Sequence, residues 1–182
     1  MGIRQTLDVI NAMERDGVIK RYAIGGAVAA FNYIEQAVTE DLDIFLSFES
    51  TSRLITLNPI LKDLRRRGYT EFRKEGIVIE GWPVQFIPVS TALDKEALEK
   101  AAATDIRANG GKVRARIMKA EHLVALALQV GRPKDLQRIG QFLDEKAVPL
   151  KKLDAVISRH NLRSAWQAFC RKTGRIDPLA AK

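Results

Sequence analysis

From Asp41 to Phe48 the chain alternates, with Leu42, Ile44 and Leu46 on one side and Asp41 and Asp43 on the other. This is the pattern of a strand buried on one face, so the segment calls for a sheet with one side packed. The two carboxylates then project from the same open face. Their Cα atoms lie about 7 Å apart, since a strand rises about 3.3 Å per residue. Like charges that close need a cation or water between them. Taken alone, the same pair also fits a solvated strand face.

The flanking sequence sets that strand in an α/β context. Leu7, Ile10 and Met13 recur at helical spacing, with Gly17 as a stop, so residues 4–16 read as an amphipathic helix. Arg21 to Ile24 reads as a short strand entering Gly25-Gly26, and Ala27 to Ile34 as the next helix. Ser50-Thr51-Ser52 offers N-cap hydroxyls to a helical region interrupted near Asn58-Pro59 and resuming to Arg67. Ile77 to Glu80 and Val84 to Val89 form a hairpin around Gly81-Trp82, with Pro83 at a strand start or edge. A helix over Leu93 to Ala102 and a basic hairpin turning at Asn109-Gly110 follow. Beyond Lys119 the pattern becomes helical only, with helices predicted at 120–130, 133–146, 150–159 and 162–172. The expected organisation is an α/β domain over 1–118 and a C-terminal helical domain over 119–182.

Composition narrows the chemistry. Lys and Arg number 30 against 22 Asp and Glu, a net charge of +8 that suits a polyanionic partner such as a nucleotide or RNA. Cys170 is the sole cysteine, which fits a reducing cytosol and leaves no internal disulfide. The N-terminus lacks the apolar core of a signal peptide, and no run reaches the roughly 18 apolar residues of a membrane span. A cytoplasmic protein without a membrane partner is expected. His122 and His160 are the only histidines and have no cysteines at ligand spacing, which speaks against zinc. There is no Walker pattern, no G-x-G-x-x-G and no G-x-S-x-G. Arg65-Arg66-Arg67 and the cluster Lys112, Arg114 and Arg116 read either as nucleic-acid contacts or as solvated faces. Trp82 and Tyr69 read as turn or core aromatics, with base stacking as the alternative.

A strand ending in Gly25-Gly26 that opens a helix is a seat for phosphate, and equally a device for tight packing. Followed by Thr39-Glu40-Asp41-Leu42-Asp43-Ile44, it resembles the signature of the polymerase-beta-like nucleotidyltransferase superfamily. A second segment, His122 to Ile139, is similar to the part ending in Arg-x-Lys-Asp of abortive-infection nucleotidyltransferase toxins and their bacterial relatives. The resemblance implies a mixed sheet flanked by helices. It implies that Gly25 and Gly26 hold a triphosphate, that Asp41 and Asp43 hold Mg2+ (or Mn2+), and that Thr39 sits beside them. Arg132 and Lys134 would stand at the rim facing phosphate, with Asp135 fixing them or a substrate hydroxyl, and Lys134 would join Asp41, Asp43 and position 85 in the catalytic set. The implied reaction moves a nucleoside monophosphate from an NTP to RNA or protein, with a toxin–antitoxin partner in prospect. Two cations clamping an in-line displacement are the physical reason for paired acids.

Two positions depart from that pattern. A third carboxylate would fall at Gln85, a neutral amide that makes a poor base and a poor metal bridge. A lysine of the toxins aligns with Ala127. Glu80 reads as a substitute acid or as an exposed edge residue. The sequence thus leaves an enzyme, a nucleotide- or partner-binding module that has lost turnover, and a basic nucleic-acid-binding protein as alternatives.

Overall fold

The computed structural model describes residues 2–35, 39, 41–47, 56–108 and 111–180. Its centre is the acid-bearing strand β2 (Leu42–Ser47), in which Leu42, Ile44 and Leu46 are wholly buried. β1 (Arg21–Ile24) runs antiparallel to it, pairing Ile24 with Ile44 and Arg21 with Ser47. On its other side β5 (Trp82–Pro88) runs parallel, which sets Asp43 opposite Gln85. With β3 (Phe72–Arg73), β4 (Gly76–Ile79), β6 (Ala102–Ala108) and β7 (Gly111–Ile117) they form a mixed seven-stranded sheet. Its order is β3-β4-β5-β2-β1-β7-β6.

Helices cover the sheet. α1 (Ile3–Arg15) buries Leu7, Ile10 and Met13, and its Thr6 hydroxyl donates to the Ile79 carbonyl at 2.9 Å. α2 (Gly26–Ala30) is short, because beyond Ala30 the backbone tightens into i→i+3 bonds, Asn32 N–H to Ala29 and Tyr33 N–H to Ala30. The expected helix to Ile34 therefore stops early. In α3 (Asn58–Arg66), Pro59 lies in the first turn and starts the helix where an interruption was expected. The cap expected at Ser50-Thr51-Ser52 and the turn at Asn109-Gly110 lie outside the described residues. α4 (Ala92–Lys100) opens on a capping box, Thr91 Oγ1 accepting from Asp94 N–H and Asp94 Oδ2 from Thr91 N–H.

The β4–β5 hairpin turns one residue earlier than the sequence suggests. Ile79 pairs with Trp82, and the turn residues Glu80 and Gly81 have φ of 51° and 86°. Two positive φ values match the right-handed twist of the strands they join. Trp82 is thereby a strand residue, and β3, absent from the sequence reading, adds a further antiparallel strand through Phe72 and Ile77.

The chain closes with α5 (Ala120–Val130), α6 (Pro133–Asp144), α7 (Leu150–Arg159) and α8 (Arg163–Thr173). α5 is buried from Ala120 to Leu128, and one apolar core runs from the sheet into these helices. Cys170 is buried on α8 beside the Trp166–Phe169 aromatic pair. No helix among the described residues is long and apolar enough to cross a membrane.

Both histidines serve the packing of α4 against this helical part. Glu96 on α4 accepts from Arg159 Nε at 2.9 Å, His160 Nε2 at 2.7 Å and His122 Nε2 at 3.2 Å. Arg159's hydrogen bond, seconded by those of the histidines, pushes the Glu96 carboxyl down to about 2. A lowered carboxyl stabilises the fold above its ordinary range and loses that contribution as pH falls toward 2. Glu96→Ala is expected to destabilise the protein by about 2 kcal/mol at pH 7, with the gap to wild type closing in acid. Urea titrations at pH 7 and pH 3 measure both.

Candidate active site

The cleft begins at the strand register. Asp43 on β2 and Gln85 on β5 are neighbours, and Asp41 stands just before β2. Thr39 Oγ1 donates to Asp41 Oδ1 at 3.0 Å and so fixes that carboxylate. Behind them Gly25 N–H donates to the Asp43 carbonyl at 2.9 Å. Gly26 has φ +56°, and a Cβ there would fall 1.8 Å from Asp43 Oδ2. A Cβ on Gly25 would come within 2.5 Å of the Phe45 ring. Both glycines are thus required by close approach to β2, and Gly26 by its backbone conformation as well.

Two adjoining cavities open in front of the acids, of about 410 and 600 Å3, sharing Thr39, Asp41, Lys74 and Gln85 as walls. The smaller adds Arg73, Gly81, Trp82 and Pro83. The larger is polar and holds Asp43, with Arg132, Lys134, Asp135 and Arg138 from α6 facing it. α6 arrives there because α5 ends at Gly131 in a left-handed turn, φ 70°, and Pro133 opens the next helix at once.

Electrostatics divide the larger cavity. Asp43 is raised to about 6, first by burial and then by the charge of Asp41, against the opposing pull of Arg138, Lys134 and Arg132. Asp135 is 3% exposed and accepts from Arg132 Nε at 2.8 Å, with Arg138 Nη1 at 3.7 Å. Arg138 Nε is buried without a hydrogen-bond partner. One carboxylate thus organises two guanidinium groups that look across at Asp43.

The sequence-predicted residues Thr39, Asp41, Asp43, Gln85, Arg132, Lys134 and Asp135 meet in this cleft, while Gly25 and Gly26 stand behind Asp43. Ala127 is buried on α5. Glu80 sits in the hairpin turn and accepts from the Tyr69 hydroxyl at 2.6 Å; burial first, and then this bond, raise that phenol to about 12. Its carboxylate is engaged there. The carboxylate that does line the larger cavity with the aspartates is Glu75, yet no three acidic, histidine or cysteine residues among those described are grouped to hold a metal.

Sequence reasoning missed Arg138, Lys74 and Glu75. Arg138 had a signal, since Lys134, Arg138 and Gln141 follow at i, i+4 and i+7 on one helix face. Lys74 and Glu75 had none, because the β3–β4 turn that carries them rests on a two-residue strand. Within the basic clusters Arg66 and Arg67 pair with Asp63, Arg116 with Glu14 at 2.7 Å, and Arg114 with Asp105 at 3.5 Å.

No protein-family model matches the chain, and no curated protein matches it. Solved structures do. An antigenic nucleotidyltransferase-like protein from Paracoccidioides brasiliensis superposes with a TM-score of 0.60 at 17% identity, over 94% of this chain and 88% of that one. ANT(2'')-Ia, in complex with adenylyl-2''-tobramycin, does so with a TM-score of 0.50 at 15% identity, over 87% and 96%. The fold is therefore that of nucleotidyltransferase-like proteins, with a mixed sheet, flanking helices and a helical C-terminal part.

Proposed function

We propose that the protein transfers a nucleoside monophosphate from an NTP to a hydroxyl acceptor, releasing pyrophosphate. The observation that carries this is Asp41 and Asp43 facing Arg132, Lys134 and Arg138 across one cleft. Such a cleft matches a triphosphate, whose charge the α6 cations meet. The donors beside the acids are all oxygens, from two carboxylates, the Thr39 hydroxyl and the Gln85 amide, a set that fits Mg2+ (or Mn2+) together with phosphate oxygens. Burial and then the charge of Asp41 raise Asp43, and a bound cation would offset both. When bound, the ion supplies charge neutralisation at the phosphorus and its oxygens. Thr39 orients Asp41, Asp135 orients Arg132 and Arg138, and those guanidinium groups grip the departing phosphates. The resemblance of the Arg132-to-Asp135 segment to toxin enzymes points to RNA or protein as acceptor and an antitoxin as partner, a choice that the walls of the smaller cavity weigh against.

Gln85 favours a second reading. It lies beside Asp43, where a third carboxylate would complete the ligand set, and it offers one carbonyl oxygen with no charge. A chain so equipped binds nucleotide and turns over slowly, or acts by binding alone. Incubation with each labelled NTP, Mg2+ and a lysate tests the main reading, and calorimetry of Mg2+–NTP binding tests the second. Gln85→Asp is expected to raise the transfer rate at least about tenfold, about 1.4 kcal/mol off the barrier, with NTP affinity little changed. Single-turnover rates at saturating NTP measure it. Arg138→Gln is expected to weaken Mg2+–NTP binding about tenfold, and Arg138→Lys by less, since each removes a cation or its fork from phosphate. Calorimetry separates the two variants.

A further inference from the structure

In-line displacement places the attacking oxygen and the departing pyrophosphate on opposite sides of the phosphorus. The cleft has two sides meeting at Asp41 and Gln85, one polar and carrying the α6 cations Arg132, Lys134 and Arg138, the other walled by Trp82 and Pro83. We infer that the Trp82 chamber is the acceptor site, and that its occupant is a small alcohol with one flat aromatic face, neutral or anionic. The inference rests on the nucleotidyl-transfer reading and adds the substrate class to it.

The cationic chamber is the place for the phosphates, so the acceptor must come from the other. The acceptor oxygen forms a bond to the α-phosphorus while the bond from that phosphorus to the α,β-bridging oxygen breaks. Pyrophosphate leaves with the electron pair on the side of Arg132 and Arg138, and the hydroxyl proton goes to water. Trp82 presents a fixed platform, because its pairing with Ile79 follows the Glu80-Gly81 turn and Glu80 is braced by the Tyr69 hydroxyl. Flat rings stack on such a surface.

Size and charge define the rest. At about 410 Å3 the chamber falls within the roughly 300–1,000 Å3 of small-molecule sites. Among the described residues Arg73 and Lys74 are its cations, and its carboxylate, Asp41, is bonded by Thr39. Arg73 reaches Glu71 only at 3.5 Å between exposed side chains, too weak a pairing to cancel its field. A polycationic acceptor is therefore disfavoured. Arg67 and Arg116 are held by Asp63 and Glu14, and neither they nor Arg66 and Arg114 line the chamber, which favours a small acceptor over a macromolecule.

The chain reports on this chamber itself. It has two tryptophans, and Trp166 is fully buried with Nε1 donating to Asp177 at 2.6 Å, so quenching by a ligand in the chamber reads Trp82. The full chain, loaded with Mg2+ and α,β-methylene-ATP, is titrated with 4-(hydroxymethyl)benzoate, benzyl alcohol and 4-(aminomethyl)benzyl alcohol, one ring in three charge states. Expected is quenching in the order anion, neutral, cation, with about tenfold between the extremes, lost in Trp82→Phe and levelled by Arg73→Ala. Trp82→Ala should leave binding of the nucleotide analogue within about twofold. A loss of about tenfold there would seat the nucleotide base on Trp82 and overturn the inference. So would quenching by none of the three probes, a preference for the cation, or transfer from labelled ATP onto RNA or protein but to no small alcohol. Failure of wild type to bind the analogue at all would instead remove the nucleotidyl-transfer reading beneath it.

Discussion

Asp43→Asn is expected to abolish Mg2+-dependent nucleotide binding and, without metal, to make the protein more stable. The carboxylate is half-buried beside Asp41, and its pKa of about 6 lies above the ordinary 3.8. The folded chain therefore holds that proton more tightly than the unfolded chain. The stabilisation this provides is complete below the unfolded value and is lost as pH rises through about 6. At pH 8 the ionised group costs the fold about 2–3 kcal/mol, which the amide does not. For a chain of this length that corresponds to roughly 4–10 °C in Tm at pH 8, shrinking to nothing near pH 4. Mg2+ with NTP should raise the Tm of wild type at pH 8 and do so less below pH 6, where a proton competes for Asp43. Chelation should erase the effect, and the variant should show none. Thermal scans across pH, with and without metal, measure all of it. A variant that is less stable at pH 8 would show that Asp43 is held by attractive contacts.

Gly26→Val is expected to lose both stability and nucleotide binding, through a cause inside the protein. At φ +56° a β-branched residue is strained by about 1–2 kcal/mol. Its Cβ would also overlap Asp43 Oδ2, so either α2 lifts from the sheet or the carboxylate swings away. The expected loss is about 3 kcal/mol or more, seen as a lower urea midpoint with an unchanged slope. Gly26→Ala should show the same fault at smaller size, and it should cost less in an Asp43→Gly background than in wild type. The double-mutant cycle identifies the collision, since simple helix strain would cost the same in both backgrounds.

What the sequence disclosed follows from where its information is local. The β2 alternation, the Gly-Gly and the Arg-x-Lys-Asp segment are short patterns whose physics acts over a few residues. The resemblance joined them into one cleft, and the helices from α5 onward follow from their apolar spacing and their Gly and Pro punctuation. The turn at Glu80-Gly81 was missed by one residue because a glutamate at positive φ leaves no compositional trace. Lys74 reaches the cleft through β3, a strand too short for any periodicity. The partnership of Glu96 with two histidines joins residues 26 and 64 positions apart, and nothing in a linear reading links them.

The parallel pairing of β2 with β5 carries a consequence for how this site changes over generations. Sliding that register by one residue would turn Leu42, Ile44 and Leu46 out of the core, so position 85 stays beside Asp43 whatever side chain it bears. In the genetic code a glutamine codon becomes a glutamate codon by a single base change. Charge at this position can thus be dropped and regained without remodelling the backbone. If the Gln85→Asp prediction holds, a scaffold of this kind would pass between turnover and retention of its nucleotide by a change at one position, with the backbone around it left as it is.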